Sequence, residues 1–340
     1  MKKIISKLRS KSLFIYGTGK AAVSFHELAK LNDFEIDGFI ETTPNRKRFL
    51  DLPLFSCEEF EAKEDFLIVV ASMFYREIER EISKKNICAE ILFYLDYIQN
   101  NDRFVPCDEQ NIEIEKVKTL LADNESANVL ENIIEYRHTL DRRFLEQIFS
   151  PNQYFPDEIK GLIDYSNFYD VGAFNGDTIE AVSKNNVSCK KLLAFEPDIE
   201  NFRKIDSGKH YDFQLTLINK AVGNEDGLMG FNSTNSGYSS SIQSSLCDNK
   251  VQVVKLDTFV NEKNYPTCLK VDAEGHDLQV LKGAYEVIKK YRPNLMVSIY
   301  HNPIHLYQIP SWIKENFTDY QIFVRHHRDS PYETICYAIS

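Results

Sequence analysis

The stretch Phe168-Tyr169-Asp170-Val171-Gly172-Ala173-Phe174-Asn175-Gly176-Asp177-Thr178 decides how this chain folds. An apolar run enters an acidic residue, then a turn with Gly172 and Gly176, then residues of helical character. Glycines at such a turn let the backbone approach a ligand, and the helix start offers exposed N–H donors. The spacing is G-x-x-x-G rather than the G-x-G-x-x-G of dinucleotide sites, and an acid precedes it. That suits a ligand with an ammonium group better than a pyrophosphate. A tight strand-to-helix turn with no ligand is the plain alternative. Against it stands Glu196, 24 residues after Gly172 in Leu192-Leu193-Ala194-Phe195-Glu196-Pro197-Asp198. A carboxylate ending the next strand accepts two hydrogen bonds from a ribose diol.

Working outward, strand and helix alternate from Gly161 onward. Strands are expected at 167–171, 191–195, 214–222, 268–272 and 294–300, with helices over 178–184, 199–204 and 278–291. Between the third and fourth strands lies an excursion with short strand candidates at 228–231 and 251–256. Two last runs, 320–325 and 334–339, read as an antiparallel pair. Asp170, Glu196, Asp272 and His301 each stand at the carboxyl end of an expected parallel strand, where open α/β sheets form one ligand crevice. Taken singly, Asp272 reads equally as a helix cap and His301 as a loop histidine. Their convergence is what argues for a site.

Before residue 100 a second glycine-turn unit appears. A buried strand, Ser12–Tyr16, leads into Gly17-Thr18-Gly19-Lys20-Ala21-Ala22, with later strands at 36–40, 66–71 and 91–95. Gly17-x-Gly19-x-x-Ala22 matches the dinucleotide fingerprint with alanine third, and Glu41 stands 24 positions after Gly17. Residues 100–160 instead carry apolar positions at spacings of three and four, as in two or three amphipathic helices. The expected organisation is a Rossmann-like domain at 1–99, a helical linker at 100–160 and a second α/β domain at 161–340.

The chain has 340 residues, enough for two domains, and 43% of them are hydrophobic, so each can bury a core. Forty Lys+Arg against 51 Asp+Glu leave a net charge of −11, which argues against a nucleic-acid or anionic-membrane partner. The basic cluster from Lys2 to Lys11 reads as a solvated first helix. No apolar stretch approaches a membrane span, and Leu13–Tyr16 is too short for a signal-peptide core. Seven cysteines form no C-x-x-C pair, as expected for reduced thiols in the cytoplasm.

YDVGAFNGDT, LLAFEPD, LINKAVG, VVKLDTF, CLKVDAEGHDLQVLKGA and LMVSIYH, in this order, resemble the FkbM family of S-adenosylmethionine-dependent methyltransferases across about residues 167–340. Asn152-Gln153-Tyr154-Phe155 looks like the Q-Y-F segment of longer members. The resemblance implies a class I methyltransferase fold: a seven-stranded, mostly parallel sheet with a terminal antiparallel hairpin. It also implies S-adenosylmethionine as methyl donor. On that pattern Asp170, Gly172 and Gly176 face the methionine end and Glu196 the ribose. The backbone at Ala221 and Val222 borders the adenine, and Asp272 faces the sulfonium. His276 falls at a variable position of the family's pattern.

Methyl transfer to a hydroxyl needs alignment and a proton acceptor. Asp272, Glu274, His276 and His301 are the candidates, with His301 preferred because an imidazole titrates near neutrality. No residue is assigned as a metal ligand; the alternative that Asp272, Glu274 and a histidine hold Mg²⁺ stays open, as does helix capping by Glu274 and His276. The amino-terminal unit resembles the small Rossmann-like domain of bacterial sugar-modifying enzymes. For Gly17, Gly19 and Glu41 a nucleotide-sugar site, a purely structural turn and an NAD domain remain open. The expected activity is O-methylation of a sugar hydroxyl on a bacterial surface glycan or its nucleotide-linked precursor, by a cytoplasmic protein compatible with homo-oligomers. The rival is a sugar-nucleotide-binding scaffold with an inactive methyltransferase half.

Overall fold

The computed structural model describes residues 2–61, 65–85, 87, 89–95, 108–205, 209–233, 240–243 and 250–340. The expected boundary at 99–100 lies outside the described residues, as do Cys88, Cys107 and Cys247; Cys57, Cys189, Cys268 and Cys336 are free thiols. The chain forms two compact units. One comprises Met1–Glu115, Asn128–Phe149 and Arg328–Tyr332, the other Lys116–Ala127, Ser150–His327 and Glu333–Ser340. The helices Asp108–Lys118 and Asn124–Thr139 thus each contribute residues to both units. Among the described residues no helix is long and apolar enough to cross a membrane.

The first unit is built on a six-stranded sheet in the order Arg48–Phe49, Leu52–Ser56, Gly38–Glu41, Ser12–Tyr16, Phe66–Val70, Glu90–Phe93. All its pairings are parallel except the hairpin at the first edge. Phe66–Val70 is buried along its whole length, the mark of a strand covered on both faces. The helix Lys20–Leu31 starts directly after the glycine turn.

The second unit holds a seven-stranded sheet in the order Gln321–His326, Thr334–Ile339, Asn294–Ser298, Cys268–Val271, Asn167–Val171, Lys191–Phe195, Gln214–Ile218. The five strands from Asn294–Ser298 to Gln214–Ile218 run parallel, and the last two in the chain close the sheet as an antiparallel hairpin. This is the architecture the family resemblance implied.

Three elements depart from the sequence reading. The run 214–222 is two strands: Gln214–Ile218 stays in the main sheet, while Ala221–Val222 pairs with Val253–Val254 in a separate four-stranded sheet. Asn219 and Lys220 interrupt the apolar pattern at the break, but so short an interruption does not show that the second piece joins another sheet. The helix expected over 278–291 is two, Asp277–Gly283 and Tyr285–Tyr291, broken at Ala284 with φ −110°. Finally, His305–Asn316 is a helix although it contains Pro310, a residue that ordinarily discourages a helix reading.

Gly283 explains where the helix beginning at Asp277 docks. A Cβ there would lie 1.9 Å from the carbonyl oxygen of Gly223, in the turn after Ala221–Val222. Helix propensity alone predicts that Gly283→Ala gains about 1 kcal/mol. The contact reverses the sign: the variant is expected to lose on the order of 1–3 kcal/mol, read as a lower denaturant midpoint. A stabilised variant would show that the turn simply moves aside.

Candidate active site

Asp170 lies on the central strand directly opposite Lys270 on its parallel neighbour, so both side chains leave the same face. Both are buried, and the Lys270 ammonium sits 2.8 Å from Asp170 Oδ1. Its second contact fixes the turn: Nζ donates to the Gly172 carbonyl at 2.6 Å. Burial alone would lower the Lys270 pKa, but the carboxylates of Asp170, Asp272 and Asp177 outweigh it and keep the ammonium charged. Asp170 Oδ2 is left buried with no hydrogen-bond donor among the described residues. An acceptor so placed suits a ligand ammonium.

Gly172, at φ +82°, is required by a neighbour as well as by the turn. A Cβ there would meet the Asp272 carbonyl oxygen at 1.9 Å, so the space a side chain would need belongs to the adjacent strand end. Gly176 caps the helix Asp177–Lys184 from the left-handed region. Within the same turn the Phe174 N–H donates to Glu196 Oε2 at 2.7 Å, and the Asp198 N–H donates to Oε1 at 2.8 Å. Glu196 is therefore clamped at its strand end with lone pairs to spare. Burial pushes its carboxyl up to about 7, against the pull of those two N–H groups. Ala221 and Val222 are buried, and Asn219, at the bend before them, donates its side-chain amide to the Glu196 carbonyl at 2.8 Å.

The other two strand ends build a cluster. His301 Nε2 is 3.3 Å from Asp272 Oδ1 and 3.5 Å from Glu274 Oε2, while Nδ1 meets Asp277 Oδ2 at 3.0 Å. Glu274 and Gly275 have successive positive φ values of 49° and 97°, a strained turn that swings the glutamate toward the ring. Tyr154 and Tyr300 donate their hydroxyls to the two oxygens of Asp272, at 3.1 and 3.3 Å. Burial would lower the His301 pKa, but Asp277, Asp272 and Glu274 raise it to about 10. Burial pushes Glu274 up to about 7. An imidazole expected near neutrality thus stands here as a cation among three carboxylates. His276 serves through its backbone, its carbonyl accepting the N–H of Gln279 and Val280 as the helix begins.

The sequence reading gave Lys270, Asp277, Tyr154 and Tyr300 no role in the site. A lysine between Leu269 and Val271 in an apolar strand is a signal in itself, because lysine is almost never fully buried unless paired. The tyrosines gave none; they arrive from distant parts of the chain. In the first unit, Thr18 donates to the Glu41 carboxylate, bringing Gly17, Gly19 and Glu41 to one turn. A Cβ on Gly19 would meet nothing within 4 Å, whereas one on Gly17 would lie 3.0 Å from the Ala71 carbonyl oxygen.

Residues 170–322, within the second unit, match the family described as the methyltransferase FkbM domain. The crystal structure of methyltransferase FkbM from Methylobacillus flagellatus KT superposes with a TM-score of 0.74 at 18% identity, covering 99% of this chain and 92% of that one. Its likeness extends the fold assignment to both units. A putative rRNA methylase from Clostridium thermocellum aligns with a TM-score of 0.29 and 8% identity, over 58% of this chain and 94% of that one, too weakly to carry an argument. No curated protein matches the chain.

His327 and Tyr337 hold Tyr154 in place. Tyr337 donates to His327 Nε2 at 2.7 Å and accepts the Tyr154 N–H at 3.1 Å, while His327 Nδ1 faces the Ser150 carbonyl at 2.7 Å. Burial depresses the His327 pKa to about 4 from an ordinary 6.5. The folded state therefore binds fewer protons, and this contribution to stability is complete above 6.5 and lost as pH falls toward 4. Between about pH 7 and pH 4.5 the wild type is expected to lose more stability than His327→Gln. Parallel curves from chemical denaturation would refute the assignment.

Proposed function

We propose that this methyltransferase uses S-adenosylmethionine to methylate a sugar hydroxyl, on a surface glycan or its nucleotide-linked precursor. The observation carrying this reading is the sequence of groups along the strand ends: Asp170 with a free buried oxygen, Glu196 with lone pairs free, then the cluster of Asp272, Glu274 and His301. Ammonium, ribose diol and reacting methyl would meet these groups in that order. The donor supplies a methyl on a positively charged sulfur, a leaving group needing little assistance.

The protein's own contribution is then alignment and proton management. Asp170 and Glu196 hold the donor from two directions, which is worth about 7–11 kcal/mol when reactants are well placed. At the other end the acceptor oxygen forms its bond to the methyl as the sulfur bond breaks, and its proton passes to a carboxylate of the cluster, Asp272 or Glu274, beside the charged His301 ring. The sugar acceptor rests on the family resemblance and on the polar tyrosine and carboxylate lining of that end.

Each charge-assisted bond from a ribose hydroxyl to Glu196 is worth about 1.5–3 kcal/mol, so Glu196→Ala should weaken S-adenosylmethionine binding at least about tenfold. Because the Glu196 carboxyl sits near 7, the wild-type affinity should rise as pH increases through that value and be flat in Glu196→Gln. Calorimetry measures both; equal affinities in folded variants would overturn the donor site. His301→Ala should lower kcat by about 10²–10⁴ and leave donor affinity nearly intact. Near-full turnover, measured with a purified glycan acceptor, would remove the cluster from the chemistry.

A further inference from the structure

The cluster around His301 has the donor geometry of a cation site. One donor atom each of Asp272, Asp277 and His301 falls within 4.8 Å of the others. Two ligands about 2.1 Å from one ion, at octahedral to tetrahedral angles, lie about 3.0–3.4 Å apart. His301 Nε2 is 3.3 Å from Asp272 Oδ1 and 3.5 Å from Glu274 Oε2, close to that spacing.

The ring itself supplies an independent observation. The His301 side chain is only 8% exposed, it points into this cluster, and Nε2 makes no hydrogen bond to any described residue. Its other nitrogen is bonded at 3.0 Å to Asp277, which is fully buried and held in turn by the Ala273 N–H at 2.8 Å. A carboxylate gripping one ring nitrogen from behind while the other is presented forward is how proteins orient a metal-ligating histidine. Tyr154 and Tyr300 do the same for Asp272, steering its carboxylate by two hydroxyl bonds.

We infer that His301 Nε2, Asp272 and Glu274 bind a divalent first-row cation, which displaces the Nε2 proton to solvent, with Asp277 as the positioning residue behind the ring. One imidazole with two carboxylates favours Mn²⁺, Fe²⁺ or Zn²⁺ over Mg²⁺ or Ca²⁺, which prefer all-oxygen shells. Three protein ligands leave positions open for the acceptor's oxygens. A polyhydroxylated acceptor with neighbouring hydroxyls would bind both to the ion, and the bound hydroxyl would lose its proton more readily. This last step rests on the methyltransferase reading of the same cluster; the ion site does not.

Manganese tests the site without any turnover. Titrating the full-length protein with MnCl₂ and following the six-line paramagnetic resonance signal of aqueous Mn²⁺ should show about one equivalent silenced per chain. His301→Ala and Glu274→Gln should each weaken binding at least about a hundredfold, and Asp277→Asn about 10–100-fold. Circular dichroism verifies the fold, and Glu274→Gln, at a half-exposed position, stands in if His301→Ala fails to fold. An undiminished signal with the wild type overturns the inference, as does wild-type affinity in folded Glu274→Gln. Calorimetry with S-adenosylmethionine on the same samples separates the two readings. Donor binding without manganese binding refutes only the ion site, and manganese binding without donor binding refutes only the methyltransferase chemistry.

Discussion

Lys270 carries a full charge into the middle of the sheet, where an unpaired ammonium would be strongly destabilising. Its partner Asp170 stands across one parallel pairing, and its remaining reach ends on the Gly172 carbonyl. One side chain thereby ties the acid that precedes the glycine turn to the turn itself. The neighbouring strand end is joined to the same point, because the Asp272 carbonyl occupies the space Gly172 leaves open. Glu196 is held from this turn through the Phe174 N–H. The positions of three strand ends are thus mutually dependent, and the ion pair lies at their centre. Replacing such a pair with apolar residues often costs little stability; the geometry of the turn is what would go.

Charge is distributed unevenly across the crevice. At the Asp170 end, carboxylate and ammonium pair, so their charges offset. At the other end Asp272, Glu274 and Asp277 surround one imidazole, with His305 3.6 Å from Asp277. The excess of carboxylates there attracts cations and raises the basicity of the ring. The buried network of His327, Tyr337 and Tyr154 supports that second end from the antiparallel hairpin.

The sequence carried the fold unusually far. Parallel strands buried on both faces are mostly apolar, so Phe168–Val171, Leu192–Phe195 and Leu269–Val271 are legible despite Asp170 and Lys270 within them, and the last two run directly into Glu196 and Asp272. Asp170, Glu196, Asp272 and His301 could be named because strand ends are visible and parallel topology sends them to one edge. The change of sheet between Ile218 and Ala221 was not legible: Asn219 and Lys220 mark an interruption, but which strand each piece pairs with is a tertiary property.

Residue types and their placement at strand ends were determined by the sequence alone, since hydrophobic period and chain direction are local properties. Which of those groups touch, and in what protonation state, was decided only by tertiary structure. His301 acquires its basicity from Asp277, Asp272 and Glu274, which lie 24 to 29 residues away in the chain, and Asp272 is steered by Tyr154, 118 residues distant. Electrostatic interaction falls with separation in space and is indifferent to separation along the chain. A sequence therefore names the charges, and the fold sets what they do to one another.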